Sequence, residues 1–269
     1  MGYYVAVEPG VNIYVEDVNP TGRKTILFVH GWPANHHLFE YQFNVLPAMG
    51  YRCIGIDIRG FGKSDKPFGN YTYNQLANDV RVIVEVLGLH DFTLAGHSVG
   101  GAIVTRYMAK HQGFGVAKLA LIGAAAPSVT KRSYFPGGIE KKEVTKLIHG
   151  VYEDRPAMLV NFTEKFFYQP ISKPFSDWFL QLGFAASGYA TAKVAKTFRD
   201  EELFHDLSHI LVPTLILHGK HDEVCRPALA TALHKGIKQS KLVWFEHSGH
   251  GLFWEERDKF NRELAEFVR

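Results

Sequence analysis

The spacing of hydrophobic positions changes twice along the 269-residue chain. Tyr3 to Glu8 and Val11 to Glu16 alternate apolar with polar and are split by Pro9-Gly10, which predicts an antiparallel hairpin. After them come short, nearly continuous apolar runs: Thr25 to Val29, Cys53 to Ile56, Phe92 to Ala95, Ala117 to Ile122, Thr214 to Leu217 and Leu242 to Phe245. Runs of this kind suit parallel strands buried on both faces. Helical spacing appears between most of them. Leu76, Val80, Ile83, Val84 and Leu87 share one face of a segment from Tyr73 to Leu87. Further helices are predicted over Gly100 to Lys110 and Trp254 to Val268. Alternation of strand and helix predicts an α/β fold, a mostly parallel sheet wound with helices on both sides.

One region breaks the rhythm. No buried strand is legible between Ala124 and about Glu201, and the segment is rich in aromatics such as Phe162, Phe166, Phe167, Trp178 and Phe179. It reads as an inserted helical cap over 124–201. The core domain would then consist of 1–123 and 202–269.

Composition narrows the function classes. Hydrophobic residues make up 46% and charged residues 21%, an ordinary globular balance that supports a core without disulfides or structural metal. The net charge of +3 is spread along the chain, so a phosphate-tracking surface, and with it a nucleic-acid partner, is not expected. Cys53 lies in an apolar run and reads as a buried small hydrophobe. With Cys225 it makes neither a disulfide framework nor a zinc site. The first residues lack a basic stretch followed by an apolar one, and no run approaches the roughly 20 apolar residues of a membrane span. The expectation is a cytoplasmic protein without a membrane partner, whose partner is a small molecule. A homo-oligomer is left open, because interface surface resembles ordinary surface in sequence.

The candidate chemistry starts at Gly96-His97-Ser98-Val99-Gly100. The motif follows a buried strand and opens a helix. A serine at such a turn projects its hydroxyl from a strained backbone, at a helix N-terminus that favours anionic species. Serine needs a base to act as a nucleophile, and histidine is the natural one near neutral pH. Of the 14 histidines, His250 stands out, on a loop between the last buried strand and the final helix. His247 abuts the strand end and is less free to reach another loop. The base in turn needs an orienting carboxylate. Asp222, just past the run Thr214 to Leu217, is preferred to its neighbour Glu223. Ser98, Asp222 and His250 all follow carboxyl ends of predicted parallel strands, where open α/β sheets place their sites. Two backbone N–H donors are needed to hold an oxyanion. Val99 can supply one and Trp32, in His30-Gly31-Trp32-Pro33, the other. Pro33 has no N–H, and His30 reads as a brace for that loop.

On these residues the chain resembles the α/β-hydrolase superfamily over nearly its whole length. The resemblance is carried by His30-Gly31-Trp32-Pro33, by Asp57-Ile58-Arg59-Gly60-Phe61-Gly62-Lys63-Ser64, by the Ser98 motif and by the Asp222/His250 pair. Within the superfamily it is most similar to bacterial aryl esterases and cofactor-free haloperoxidases, which act as perhydrolases. Pro33 beside the tryptophan fits that subgroup, whereas His97 and Val99 stand where it often carries Phe and Met. The resemblance implies an eight-stranded sheet, a helical cap after the sixth strand, and neither cofactor nor metal. It also implies carboxylester hydrolysis through an acyl-enzyme, with some perhydrolysis. Asp57 to Ser64 reads as a structural turn.

The expected activity is hydrolysis of small or short-chain esters. A carbon–carbon bond hydrolase, a lactonase or an acyltransferase would keep the same three residues. A ligand-binding receptor on a hydrolase scaffold would keep them too.

Overall fold

The computed structural model describes residues 1–269. The strands are β1 (Gly2–Glu8), β2 (Val11–Val18), β3 (Lys24–Val29), β4 (Tyr51–Ile56), β5 (Phe92–His97), β6 (Val116–Ile122), β7 (Thr214–Gly219) and β8 (Ser240–Phe245). They form one sheet in the order β1-β2-β4-β3-β5-β6-β7-β8. The β1–β2 hairpin is antiparallel, as its alternation predicts, and β2 joins β4 antiparallel. Every other pairing is parallel. The apolar runs explain the centre of the sheet. All residues of β5 and β7 are buried, as helices on both faces require.

Between the strands lie α1 (Glu40–Phe43), α2 (Tyr73–Val86), α3 (Val99–Lys110), α4 (Lys141–Glu153), α5 (Arg155–Glu164), α6 (Lys173–Phe184), α7 (Gly188–Asp200) and α8 (Pro227–Gly236), and after β8 come α9 (Leu252–Glu255) and α10 (Arg257–Val268). Thr72 caps α2, its hydroxyl accepting from the Gln75 N–H. The buried face of α2 is the predicted one, with Leu76, Val80, Ile83 and Val84 inside. Helix α3 packs on β3, β5 and β6, and α8 packs on β7 and β8. Helices α4 to α7 all fall between β6 and β7, and α4 packs along α7. None of the helices is long and apolar enough to cross a membrane.

The C-terminal helix differs from its expected form. The single helix predicted from Trp254 to Val268 is broken at Glu256, whose φ of −122° and ψ of 48° leave the helical region. The reason lies in the contacts of two neighbouring carboxylates. Glu256 accepts hydrogen bonds from the His247 N–H at 3.0 Å and the Ser248 hydroxyl at 2.6 Å. Glu255 accepts from the backbone N–H groups of Tyr168, Gln169 and Gly249 at 2.7, 2.8 and 2.8 Å. A straight helix would carry at most one of these carboxylates to that loop.

The parallel order sets where the site must lie. The loops after β3, β5, β7 and β8 all leave the same carboxyl edge, and they carry Trp32, Ser98, Asp222 and His250 respectively.

Candidate active site

Ser98 sits between the last residue of β5 and the first of α3, at φ 54° and ψ −120°. That backbone is costly for any residue with a Cβ and persists only where its surroundings impose it. Here they do. The Ser98 N–H donates to the Ile122 carbonyl at 2.9 Å, and the Ser98 carbonyl accepts from Ala125 N–H at 2.8 Å. The turn is also tight against β3. A Cβ on Gly100 would lie 2.1 Å from the Val29 carbonyl oxygen, so only glycine lets α3 start so close to the sheet.

Asp222 and His250 meet. The His250 Nδ1 lies 2.7 Å from Oδ2 of Asp222, and both side chains are fully buried. The other carboxylate oxygen, Oδ1, accepts from the N–H groups of Val224 and Cys225 at 2.9 and 2.7 Å. These bonds fix the carboxylate and leave one oxygen for the imidazole. The Nδ1–H of His250 therefore donates to Asp222, and Nε2 carries the free lone pair. Burial pushes the His250 imidazole below its ordinary value. It pushes the Asp222 carboxyl up, against the pull of His218 and of the two amide donors.

Ser98 and His250 are not joined by a hydrogen bond in this structure. The Nε2 of His250 has no hydrogen-bond partner. The Cys225 thiol, which lines the same cavity as Ser98, is raised well above its ordinary range by burial and so stays protonated.

Trp32 and Val99 are both nearly buried, and neither backbone N–H donates to a protein group. Two buried amides without partners beside a serine form an anion-binding arrangement. The loop of Trp32 is held on both sides. Its indole N–H donates to the Thr191 carbonyl of α7 at 2.8 Å, and its ring packs edge-on against Phe162 and Phe198. Below it, the buried His30 accepts from the Ile58 N–H at 3.0 Å through Nε2. Its Nδ1 then donates to the Gly31 carbonyl at 2.8 Å. Burial holds His30 down to about 4, so it is neutral and braces the loop.

A cavity of about 850 Å³ opens onto Ser98, Val99, Trp32 and Asp222. Its apolar lining includes Val129, Leu147, Met158, Phe162 and Phe198. Glu143, Lys146, Glu153, Asp154 and Lys165 also line it. Most of these wall residues belong to α4, α5 and α7, the helices inserted between β6 and β7. Other aromatics of that insertion cluster away from these walls. Phe166, Phe167, Phe175 and Phe179 pack on one another and against Phe253 and Trp254.

Sequence reasoning passed over several residues here. His218 Nε2 bonds the Cys225 carbonyl at 2.7 Å and so fixes the Asp222 turn. The Phe166 carbonyl accepts from both His250 and Gly251 N–H groups, at 2.9 and 3.1 Å. Glu255 and Glu256 tie down the same loop. No residue pattern announces such backbone contacts, because any residue can offer a carbonyl.

Comparison with known proteins is consistent along the whole chain. Residues 24–257 match the family model described as the alpha/beta hydrolase fold. An AB hydrolase superfamily protein of Bacillus subtilis is 46% identical over 267 residues, covering 99% of each chain. A bifunctional esterase/perhydrolase of Acinetobacter calcoaceticus is 29% identical, with 99% of each chain covered. The solved structure of an esterase from Exiguobacterium antarcticum superposes with a TM-score of 0.97 at 44% identity, covering 100% of this chain and 99% of that one.

Proposed function

The chain belongs to the α/β-hydrolase fold family, and we propose that it is a serine carboxylesterase acting on small or short-chain esters, with perhydrolysis as a side reaction. The observation that carries this reading is the buried His250–Asp222 pair, 2.7 Å apart, beside a serine held at φ 54°. The esterase and esterase/perhydrolase relatives support it.

In the first half of the reaction, the Ser98 hydroxyl hydrogen-bonds Nε2 of His250. Its oxygen attacks the ester carbonyl as Nε2 takes the proton. The Trp32 and Val99 amides hold the oxygen that becomes negative. His250 then returns the proton to the leaving alcohol, and the acyl group stays on Ser98. In the second half water enters, His250 removes its proton, and the acid departs. Hydrogen peroxide in place of water releases the peracid. Asp222 keeps the imidazole oriented and favours its transient cation. General-base action is worth roughly 10² to 10⁴ in rate, and one oxyanion donor about 10² to 10³. No step calls for a metal or a cofactor.

Residues 124–201 are read as the cap of this site, on a core of 1–123 and 202–269. The cap supplies the apolar wall on which the acyl or alcohol part rests. The cavity is of a size that takes drug-sized molecules elsewhere, so a short ester with an aromatic leaving group fits with room to spare.

The test is turnover of p-nitrophenyl esters of increasing acyl length, with and without hydrogen peroxide. The expected outcome is hydrolysis falling off with long chains and peracid formed only when peroxide is present. Labelling of Ser98 by a fluorophosphonate without turnover of any ester would instead indicate a receptor.

A further inference from the structure

We propose that His97 is a positioning residue for this reaction, holding the loop of His250 at the distance Ser98 needs; the proposal rests on the reading of His250 as the base. His97 is the last residue of β5 and immediately precedes Ser98. It is fully buried, and its Nε2 lies 3.2 Å from the backbone carbonyl oxygen of His250. A carbonyl only accepts, so Nε2 carries the hydrogen and donates it. The two rings stand 4.6 Å apart between centroids.

That bond completes a clamp on one peptide. The N–H of His250 is held by the Phe166 carbonyl, and its carbonyl is held by His97. With both backbone groups fixed, the imidazole hangs from a defined Cα. Its own Nδ1 bond to Asp222 then sets the ring plane. Only Nε2 is left free.

His97 also touches the loop that carries Trp32. Its Nδ1 has no hydrogen-bond partner, and it lies 2.7 Å from where a Cβ on Gly31 would stand. One side chain thus packs against the Trp32 loop, bonds the His250 loop and is covalently next to Ser98. Burial, with the adjoining His250, keeps the ring well below its ordinary titration range and hence a single-proton donor. A phenylalanine, which the similar aryl esterases often carry at this position, would fill the same space. It would offer no hydrogen bond and would leave the His250 carbonyl buried and unpaired.

The experiment compares His97→Phe and His97→Met, which keep bulk and lose the donor, with His97→Gln, whose side-chain N–H₂ reaches about as far as Nε2. Three quantities are measured on each: Tm, kcat and KM on p-nitrophenyl acetate, and the second-order rate of Ser98 labelling by a fluorophosphonate. Misplacement of a catalytic group by about 1 Å costs on the order of 10²-fold, so kcat and the labelling rate should fall about 10- to 100-fold in the Phe and Met variants. KM should stay close to wild type, Tm should fall by a few degrees in the Phe and Met variants because the His250 carbonyl loses its partner, and Gln should restore most of the loss in kcat and labelling. Wild-type kcat and labelling in His97→Phe, or a Gln variant as slow as the Met variant, would overturn the proposal. If the Phe variant does not fold, the comparison of Gln with Met decides. Wild-type protein that labels but hydrolyses no ester would defeat the esterase reading and leave the labelling comparison intact.

Discussion

A Cβ placed on Gly31 would come within 2.8 Å of the Cβ of Ser98. The turn after β3 and the turn after β5 are therefore in contact at a residue without a side chain. This contact brings the Trp32 amide beside Ser98. The close approach needs glycine even though Gly31 does not have a positive φ.

Gly31→Ala should push the two turns apart and move the Trp32 N–H away from the developing oxyanion. Losing one such donor costs about 10²- to 10³-fold, so kcat/KM on p-nitrophenyl acetate should fall by a factor in that range. Steady-state kinetics on the folded variant checks this. Unchanged kcat/KM would mean that the Trp32 amide does not hold the oxyanion.

The acid side of the pH profile follows from burial. As the proposed base His250 acts only when neutral, and burial lowers its pKa. A lowered pKa keeps the base form present at lower pH. The acid limb of kcat/KM, which reports the free enzyme, should therefore have its midpoint below the ordinary imidazole value of about 6.5. A midpoint at or above about 7 would contradict the burial of His250 in the working enzyme.

A second buried His–carboxylate pair lies away from Ser98. Asp57 accepts from the backbone N–H and Nδ1 of His36, both at 2.7 Å, and from the Lys63 N–H at 2.8 Å. Burial alone would raise the Asp57 carboxyl. The hydrogen bond and charge of His36 outweigh burial and hold it below its usual range. A carboxyl depressed by folding contributes stability above its unfolded pKa of about 3.9 and loses it as pH falls through the folded value. Asp57→Asn should lower stability at pH 7 by about 3 kcal/mol, as for one partner removed from a buried pair. The gap to wild type should shrink below about pH 4. Urea titrations at several pH values measure it, and a gap independent of pH would refute the assignment.

Much of this was legible in the chain because the relevant signals are local. The runs around Leu94 and Ile216 announce buried strands. Gly96 to Gly100 announces a tight turn after one of them, and Asp222 and His250 follow two others. Contacts made by backbone groups were not legible. The break at Glu256 arises because two adjacent carboxylates are drawn to N–H groups and a hydroxyl on two loops distant from each other in sequence. Glu255 alone joins Tyr168, Gln169 and Gly249. His97 and His218 look like ordinary strand residues until the carbonyls they bond are in view.

The acyl-enzyme on Ser98 can be observed directly. Mixing the protein with p-nitrophenyl acetate, quenching in acid within the first turnover and sequencing the peptides by mass spectrometry locates the acyl group. The expected result is acetyl on the peptide containing Ser98, a matching burst of p-nitrophenol, and loss of both in Ser98→Ala. Acetyl found on Cys225 or elsewhere instead, or wild-type turnover by Ser98→Ala, would contradict the proposed mechanism.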